Sequence, residues 1–268
     1  MNPLAEAGAA LLGGVLRGAK AIHGGCLSQI MLIVLADGRE AIVKGGGAAR
    51  AEAAMLKAVA ASGAPAPAVL AVSDGVLVME AMPADGGLGG AWTSLGGALA
   101  KLHAASGRDC GWHEDYAFGS VAIPNGWMKS WPAFWAERRL RPSCAHIAPA
   151  LARRIEALAA DLPNRLPELT APSLLHGDLW GGNILASGNR VTALIDPACY
   201  YGHGEADIAM LTLFDHPSPA FYEAYEGLAP GHEERIVIYQ LWPALVHLRL
   251  FGGGYRGMVE RLLSQAGV

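Results

Sequence analysis

Cysteine is scarce in this chain of 268 residues, and the cysteines that occur are far apart. There are four, Cys26, Cys110, Cys144 and Cys199, and no two of them form a CxxC pair. Structural zinc sites and disulfide frameworks both need closely patterned cysteines. The sequence therefore predicts neither, and its cysteine usage fits a protein of the reducing cytoplasm.

Long apolar runs and an excess of basic residues are also missing. No stretch of about 18 strongly apolar residues occurs, so no transmembrane helix is predicted. The 20 Lys and Arg residues are outnumbered by 24 Asp and Glu residues, which gives a net charge of −4. Nucleic acids and anionic membranes both attract basic surfaces. We therefore expect neither a nucleic acid nor a membrane as a partner.

What the sequence does contain is two regions of different character. Up to about residue 83, short apolar runs such as QIMLIVL and EAIVK alternate with turns at Asp37-Gly38 and Asp74-Gly75, which predicts antiparallel strands. The segment ARAEAAMLKAVAASG and four further segments after PADGGLGG have helical spacing. An opening helix is also predicted, with one apolar face made of Leu4, Leu11, Leu12, Val15 and Leu16.

These patterns predict an α+β fold of two lobes. Residues 1–83 form a small antiparallel β lobe with one helix, and residues 84–268 form a larger, mainly helical lobe. The glycine-rich stretch near residues 80–90 is expected to be the hinge between them.

A group of polar residues stands out in LLHGDLWGGNILA, residues 174–186. His176 and Asp178 are followed five residues later by Asn183, and the apolar run VTALI then ends at Asp196. Phosphoryl transfer needs a bound nucleotide, magnesium and a group that orients or deprotonates the acceptor hydroxyl. The spacing predicts Asp178 as the carboxylate that accepts the hydroxyl proton. It also predicts Asn183 and Asp196 as oxygen ligands of Mg²⁺.

The first region contains residues of the kind expected around a nucleotide. Lys44 ends the third predicted strand, where kinases place the lysine that holds the α- and β-phosphates, and Glu52 on the next helix is its expected ion-pair partner. We assign Gly24 and Gly25 to a short loop over the phosphates and Glu80 to the nucleotide site. Each motif alone has a high false-positive rate. The ordered set predicts a kinase-type active site, in the element order of the protein kinase fold.

The segment after Asp196 bears on the substrate. Only 11 residues, PACYYGHGEAD, separate Asp196 from the helix predicted near Ile208, and no APE-like motif follows. This is too short for an activation loop with a peptide-binding platform, so a small-molecule acceptor is predicted. Asp207 is expected to cap the following helix and to brace the catalytic loop.

At these residues the chain resembles the fructosamine kinase (ketosamine-3-kinase) family, a branch near the aminoglycoside and choline phosphotransferases. HGDLWGGN is similar to that family's HGDLWSGN, and IDPACYYGHGEADIAM to its IDPAxYYGxxExDLAM. Residues 111–142, with NGW, Trp131 and ERRLRP in register, resemble the stretch that distinguishes the family. The chain departs from the family at Gly182 in place of Ser, at Gly204 in place of a larger polar residue, and in the short segment from Lys44 to Glu52.

The resemblance implies ATP- and Mg²⁺-dependent phosphorylation of a sugar hydroxyl on a ketosamine, the rearranged product of amine glycation. Such phosphates are unstable and release the amine, so the implied role is deglycation repair. A monomer or weak homodimer is expected. Glu205 and Asp207 are assigned to the substrate side of the site.

The tryptophans have open interpretations. Trp180 is either a platform for the sugar or its charged amine, or a core residue beneath the catalytic loop. Trp127, Trp131 and Trp135 recur at helical spacing and are expected to pack in the core or between the lobes.

Two other functions and one regulatory role also fit these residues. A phosphotransferase for another small hydroxyl compound, such as an aminoglycoside or choline, would use the same set. A nucleotide-binding pseudokinase is disfavoured because Lys44, Asp178, Asn183 and Asp196 are all present. Cys26 follows the Gly24-Gly25 loop, so it is either a small apolar turn residue or a thiol whose oxidation inhibits the enzyme.

Overall fold

The structure, a computed structural model, describes residues 2–22 and 29–268. The predictions for Gly24, Gly25 and Cys26 lie outside the described residues. Within them, no helix combines the length and the apolarity needed to cross a bilayer.

The first part of the chain is built on a five-stranded antiparallel sheet with the strand order β1-β2-β3-β5-β4. The two Asp-Gly turns predicted from the sequence connect β2 to β3 and β4 to β5. Among the described residues of this part, two helices, α1 and α2, accompany the sheet. The elements are α1 (Pro3–Leu11), β1 (Leu16–Ala21), β2 (Gln29–Leu35), β3 (Glu40–Gly45), α2 (Ala49–Ala61), β4 (Val69–Val72) and β5 (Val76–Met79).

Helix α1 packs on the sheet through small residues. Its N-terminus is capped by the side chain of Asn2, which accepts a hydrogen bond from the Leu4 N–H at 2.9 Å. Its buried residues are Ala5, Gly8 and Ala9, and a methyl group at Gly8 would overlap Val43 of the sheet. The prediction that leucines and Val15 form the apolar face of this helix was partly wrong, since Leu11 is 39% and Val15 74% exposed. A helix this close to a sheet has no room for larger side chains at the contact.

Helix α2 connects the sheet to the rest of the molecule. Ala53 and Leu56 pack with sheet residues, whereas Met55 and Val59 belong to the large core of the helical part. The Cys199 N–H also contacts the Met55 sulfur at 3.3 Å. The two parts of the chain therefore share packing along one side of α2.

The helical part begins after a short 3₁₀ turn at Leu88–Gly90. All four segments predicted to be helical contain a helix, and α4 continues through a π-helical turn at Trp135–Leu140 and a 3₁₀ turn at Arg141–His146. The helices are α3 (Trp92–Ala104), α4 (Trp131–Phe134), α5 (Pro149–Arg165), α6 (Glu205–Phe214), α7 (Pro219–Ala224), α8 (His232–Phe251) and α9 (Arg256–Gln265).

Three two-stranded ladders lie among these helices. The pair β8/β11 and the hairpin β9/β10 flank residues 176–183, and a hairpin of β6 and β7 lies within the distinctive stretch 111–142. The strands are β6 (Tyr116–Phe118), β7 (Val121–Ile123), β8 (Ser173–Leu175), β9 (Ile184–Ser187), β10 (Arg190–Leu194) and β11 (Tyr200–Gly202).

The tryptophans expected in the core divide into two kinds. Trp131 and Trp135 are buried among aromatic neighbours, with ring centroids 5.3 Å apart. Trp127 is 49% exposed and packs beside Tyr201, so the prediction for this residue was wrong. Trp127 precedes helix α4, and the helical spacing on which the prediction depended does not extend to it.

Candidate active site

Lys44 is held at the end of β3 by two carboxylates. Its Nζ lies 2.9 Å from Glu52 Oε1 on α2 and 2.9 Å from Asp196 Oδ1. The expected Lys44–Glu52 ion pair is therefore present across the short connecting segment. Burial opposes the charge on Lys44, but Glu52 and Asp196 raise its pKa above the ordinary value. Lys44 remains a cation pointed into the site.

The loop that follows β8 is fixed by its backbone groups. The Asp207 carboxylate accepts hydrogen bonds from the N–H groups of His176 at 2.7 Å and Gly177 at 2.8 Å. Gly177 has a φ of 80°, and a Cβ there would overlap the carbonyl oxygen of Ala198, so only glycine fits. The loop therefore presents the next side chain, that of Asp178, in one orientation.

His176 joins this loop to the chain before Asp196. It is fully buried, its Nε2 donates to the Ile195 carbonyl oxygen at 3.0 Å, and its Nδ1 accepts from the Asp178 N–H at 3.3 Å. Burial lowers the pKa of His176, which is consistent with this neutral tautomer. His176 is thus a spacer between two functional aspartates.

Asp178 and Asn183 form the central polar pair of the site. The Asn183 amide donates to the Asp178 side-chain oxygen at 3.0 Å and to its carbonyl oxygen at 2.8 Å. Burial raises the pKa of Asp178 to about 7, against the lowering effect of the Asn183 hydrogen bond. A carboxylate with a pKa near neutrality is suited to accept a proton from a substrate.

Asp196 follows β10 in an uncommon backbone conformation. Its φ of 54° lies in the left-handed region, which residues other than glycine rarely adopt. The N–H of the preceding Ile195 donates to the Asn183 carbonyl oxygen at 3.0 Å. This bond ties Asp196 to the segment that carries Asn183, and strained residues of this kind occur at ligand-binding sites.

These residues share one cleft of about 660 Å³. We call its ionic and amide residues the charged floor, which consists of Lys44, Glu52, Asp178, Asn183 and Asp196. We call its other prominent side the aromatic wall, which consists of Trp180, Phe214, His247, Phe251 and Tyr255. Trp180 is 42% exposed within this cleft, which excludes its interpretation as a core residue.

Three residues assigned to the site from the sequence do not line the cleft. The exposed Glu80 accepts a hydrogen bond from the Ala68 N–H at 3.3 Å. Glu205 is buried in an ion pair with Arg235, with oxygen–nitrogen distances of 2.6 and 2.7 Å. Asp207 is buried under the catalytic loop, where it also contacts His103 Nε2 at 3.1 Å. Its expected bracing role fits this geometry, but direct substrate contact by Glu205 or Asp207 does not. The expected helix cap was wrong, because Asp207 lies in the first turn of α6 and its carboxylate is used by the loop.

Sequence reasoning missed most of the aromatic wall and the β6/β7 hairpin. Within the wall, His247 lies 4.8 Å from Phe214 and 5.0 Å from Tyr255 between ring centroids. These residues come from separate segments of the chain, so no local sequence spacing predicts that they form one surface. The hairpin did have a signal, because Tyr116 and Phe118 alternate with small residues before a Gly-Ser turn.

The fold matches that of small-molecule phosphotransferases. An aminoglycoside phosphotransferase solved with AMP-PNP and hygromycin B has a TM-score of 0.67 against this chain, covering 94% of this chain and 95% of that one at 17% identity. The predicted protein-kinase-like α+β fold is therefore confirmed.

Closer relatives define the family. The fructosamine kinase family model matches residues 13–266, so the chain belongs to this family, as its motifs predicted. A Synechocystis protein named as a probable ketoamine kinase is 36% identical, with 92% of this chain and 89% of that protein covered. A crystal structure from Thermobifida fusca, assigned as a fructosamine-3-kinase, has a TM-score of 0.91 and 31% identity over 99% of both chains. Mouse ketosamine-3-kinase is 38% identical, over 52% of this chain and 48% of that protein.

Proposed function

We propose that this protein is a kinase that uses ATP to phosphorylate a sugar hydroxyl of a ketosamine of the fructosamine or ribulosamine type. The observation that carries the proposal is the single cleft that brings Lys44, Asp178, Asn183 and Asp196 together in a member of the fructosamine kinase family. The names of related proteins support this substrate class, including an Arabidopsis protein-ribulosamine 3-kinase that is 35% identical over 67% of this chain and 58% of its own length.

Asp178 is the proposed proton acceptor. As the acceptor oxygen bonds to the γ-phosphorus of ATP, its proton passes to the Asp178 carboxylate, and the bond between that phosphorus and the bridging oxygen breaks to release ADP. The pKa of about 7 leaves a substantial fraction of Asp178 ionised at neutral pH. Lys44, fixed by Glu52 and Asp196, provides the positive charge for the nucleotide phosphates.

The residues fit a magnesium ion that is bound together with the nucleotide. The Asn183 side-chain nitrogen donates to Asp178, and its Oδ1 receives no hydrogen bond from any described residue. Among the described residues, the Asp196 carboxylate is paired with Lys44 alone. Oxygen donors of this kind suit Mg²⁺, which commonly uses one or two protein oxygens with phosphates and water. We infer that Asn183 and Asp196 hold this ion, which would neutralise phosphate charge.

The acceptor side of the cleft suits a cationic amine linked to a sugar. Among the described lining residues, Lys44 is the only Lys or Arg, and its charge is matched by Glu52 and Asp196. The aromatic wall offers ring faces to an ammonium group and to the apolar face of a sugar. Trp180, two residues after Asp178, is the residue of this wall that we place against the acceptor.

The rival acceptors are choline and aminoglycosides, and the rival class is a pseudokinase. The test is a set of specificity constants for a fructosamine or ribulosamine, its parent ketose, the ketose phosphate, choline and an aminoglycoside, with the product identified by phosphorus NMR. We expect the ketosamine to have the highest constant and the ketose phosphate the lowest, because the negative floor repels an anion. A higher specificity constant for choline, an aminoglycoside or the plain ketose contradicts the ketosamine assignment. If none of the five compounds supports ATP turnover, the result favours a pseudokinase.

The biological role follows from the product. Ketosamine phosphates decompose to release the amine, so the proposed reaction removes a glycation adduct and repairs the amine. We propose a cytoplasmic site for this reaction, supported by the free thiols of Cys110, Cys144 and Cys199 within the described residues. A monomer or weak homodimer remains our expectation for its assembly.

A further inference from the structure

The β6/β7 hairpin reaches the cleft from the helical part of the chain. Its strands pair in the register Tyr116↔Ile123, Ala117↔Ala122 and Phe118↔Val121. Residues 116–119 line the same cleft as the charged floor, whereas Val121 and Ile123 are buried in the core. One strand of the hairpin thus faces the reactants while the other anchors it.

A buried arginine fixes the base of this hairpin. Arg139 is 2% exposed and donates to the Pro124 carbonyl oxygen and to Asn125 Oδ1, both at 2.7 Å. The Asn125 N–H in turn donates to the Asp115 carboxylate at 2.7 Å. Asp115 immediately precedes β6 and Pro124 immediately follows β7, so both ends of the hairpin are held by one hydrogen-bonded cluster. The side chains of the hairpin are therefore presented from a rigid base.

The hairpin packs on helix α8, which also carries part of the aromatic wall. The Phe118 ring packs against Trp242 of α8, with the ring centroids 5.8 Å apart and the planes at 73°. The same helix carries His247 and Phe251 of the aromatic wall. The hairpin and the proposed binding surface for the amine are thus supported by one helix.

Tyr116 points a phenol at the charged floor from this hairpin. It is half-buried, and its hydroxyl makes no hydrogen bond to any described residue. Burial raises its pKa, and the negative charges of Glu52, Asp196 and Asp178 raise it further. The phenol therefore keeps its proton at neutral pH, and it is a neutral hydrogen-bond donor facing the carboxylates of the floor.

We propose that Tyr116 binds the acceptor, and that its hydroxyl donates a hydrogen bond to the sugar oxygen adjacent to the hydroxyl that is phosphorylated. The reacting hydroxyl must contact Asp178, so the neighbouring oxygen of the same sugar lies near the groups around Asp178. In their ionised form the floor carboxylates only accept hydrogen bonds from sugar hydroxyls, whereas the Tyr116 hydroxyl can donate one. This inference rests on the proposed function and deepens it, since it names a residue that recognises the sugar of the acceptor.

The substitution Tyr116→Phe tests this role because it removes one oxygen and keeps the ring. We expect the KM for the ketosamine to rise roughly threefold to tenfold, the effect of one lost neutral hydrogen bond, while kcat and the KM for ATP stay near wild type. The matched control is Tyr222→Phe on α7, outside this cleft, which should leave all three constants unchanged. Equal melting temperatures would show that both variants fold normally.

A modified acceptor sharpens the test. A ketosamine that lacks the hydroxyl next to the phosphorylated one should bind wild type and Tyr116→Phe with equal KM, because the proposed partner is missing in both cases. An unchanged KM for the complete ketosamine overturns the proposal. A fall in kcat alone also overturns it, since it would place the hydroxyl on the transferred phosphoryl group.

The outcomes also separate this inference from the proposed function. If the wild type phosphorylates no ketosamine, the proposed function is refuted and the role of Tyr116 with it. If the wild type phosphorylates ketosamines and Tyr116→Phe behaves identically, the inference about Tyr116 alone is refuted.

Discussion

The charged floor and the aromatic wall lie on one cleft but are built differently. On the floor, Lys44 is 8% and Asn183 6% exposed, and each contacts two partner groups. On the wall, Trp180 is 42% and Phe251 53% exposed, and the rings of Phe214, His247, Phe251 and Tyr255 pack on one another at tilted angles. Floor residues are fixed by directional bonds, whereas wall residues are held by less directional packing.

The difference matches what each side has to do. Phosphoryl transfer depends on charges that are already in position when the reaction occurs. An exposed aromatic surface can accept amines of different size, because ring faces recognise cations and apolar surface without fixed hydrogen-bond geometry. We therefore expect changes on the floor to affect turnover and changes on the wall to affect the choice of acceptor.

The largest expected effect is that of Asp178→Asn on the floor. Turnover should fall by roughly two to four orders of magnitude, the range for loss of a general base, while nucleotide affinity stays near wild type. Single-turnover kinetics and nucleotide titration would measure the two effects, with the exposed Asp85→Asn as control. Turnover near that of wild type would remove Asp178 from the mechanism.

The same substitution should also change the melting temperature, in a direction that follows from the pKa of Asp178. The folded-state pKa of Asp178, about 7, is above its ordinary value of 3.8, so its favourable contribution is present below about pH 4 and is lost as the pH rises through 7. At pH 8 without metal, Asp178→Asn should melt roughly 2–4 °C higher than wild type, and the difference should shrink towards pH 5. A lower melting temperature at pH 8 contradicts the burial argument.

The second effect is that of Asp196→Ala on magnesium-dependent nucleotide binding. Loss of a proposed direct ligand should weaken binding of the magnesium–nucleotide complex by roughly tenfold or more and raise the magnesium concentration needed for turnover. Calorimetric titration with AMP-PNP at several magnesium concentrations would measure this. Asp161→Ala, at the far end of α5, is the control, and an unchanged magnesium dependence speaks against the assignment.

On the wall, Trp180→Ala should act on the acceptor. We expect kcat/KM for the ketosamine to fall roughly tenfold, in line with loss of a stacking and cation–π surface, while ATP hydrolysis in water changes little. Trp127→Ala is the matched control, because Trp127 is similarly exposed but lies outside the cleft. Equal losses in both reactions would mean that Trp180 supports the loop and not the acceptor.

The smallest effect concerns the glycine that departs from the family pattern. A Cβ at Gly182 would overlap the outer edge of the Trp180 ring, so Gly182→Ala should displace the ring and raise the ketosamine KM roughly twofold to fivefold. Tryptophan fluorescence should report the displacement, and Gly87→Ala, which has open space around it, should not change it. Identical spectra and constants for Gly182→Ala would show that this glycine does not set the ring position.

The floor could be predicted from the sequence to a large extent. Asp178 and Asn183 are five residues apart in one loop, so their spacing in the sequence is enough to predict that they pair. Lys44 and Asp196 are distant in the chain, and their contact was predictable only because the order of the motifs matches a known fold. Glu205 illustrates the limit, since its neighbouring motif suggested a substrate contact while its partner, Arg235, lies on another helix.

By itself, the sequence determined the α+β fold class and the family, and it predicted the residues of the floor, because turn residues, hydrophobic period and short motifs act over neighbouring positions. Only the tertiary structure decided that α1 packs through alanine and glycine, that Trp127 is exposed, and that Tyr116 faces the floor. It also brought segments around residues 116, 180, 214 and 250 into one cleft. The physical reason is that burial and close approach depend on contacts between distant segments, which no local pattern encodes.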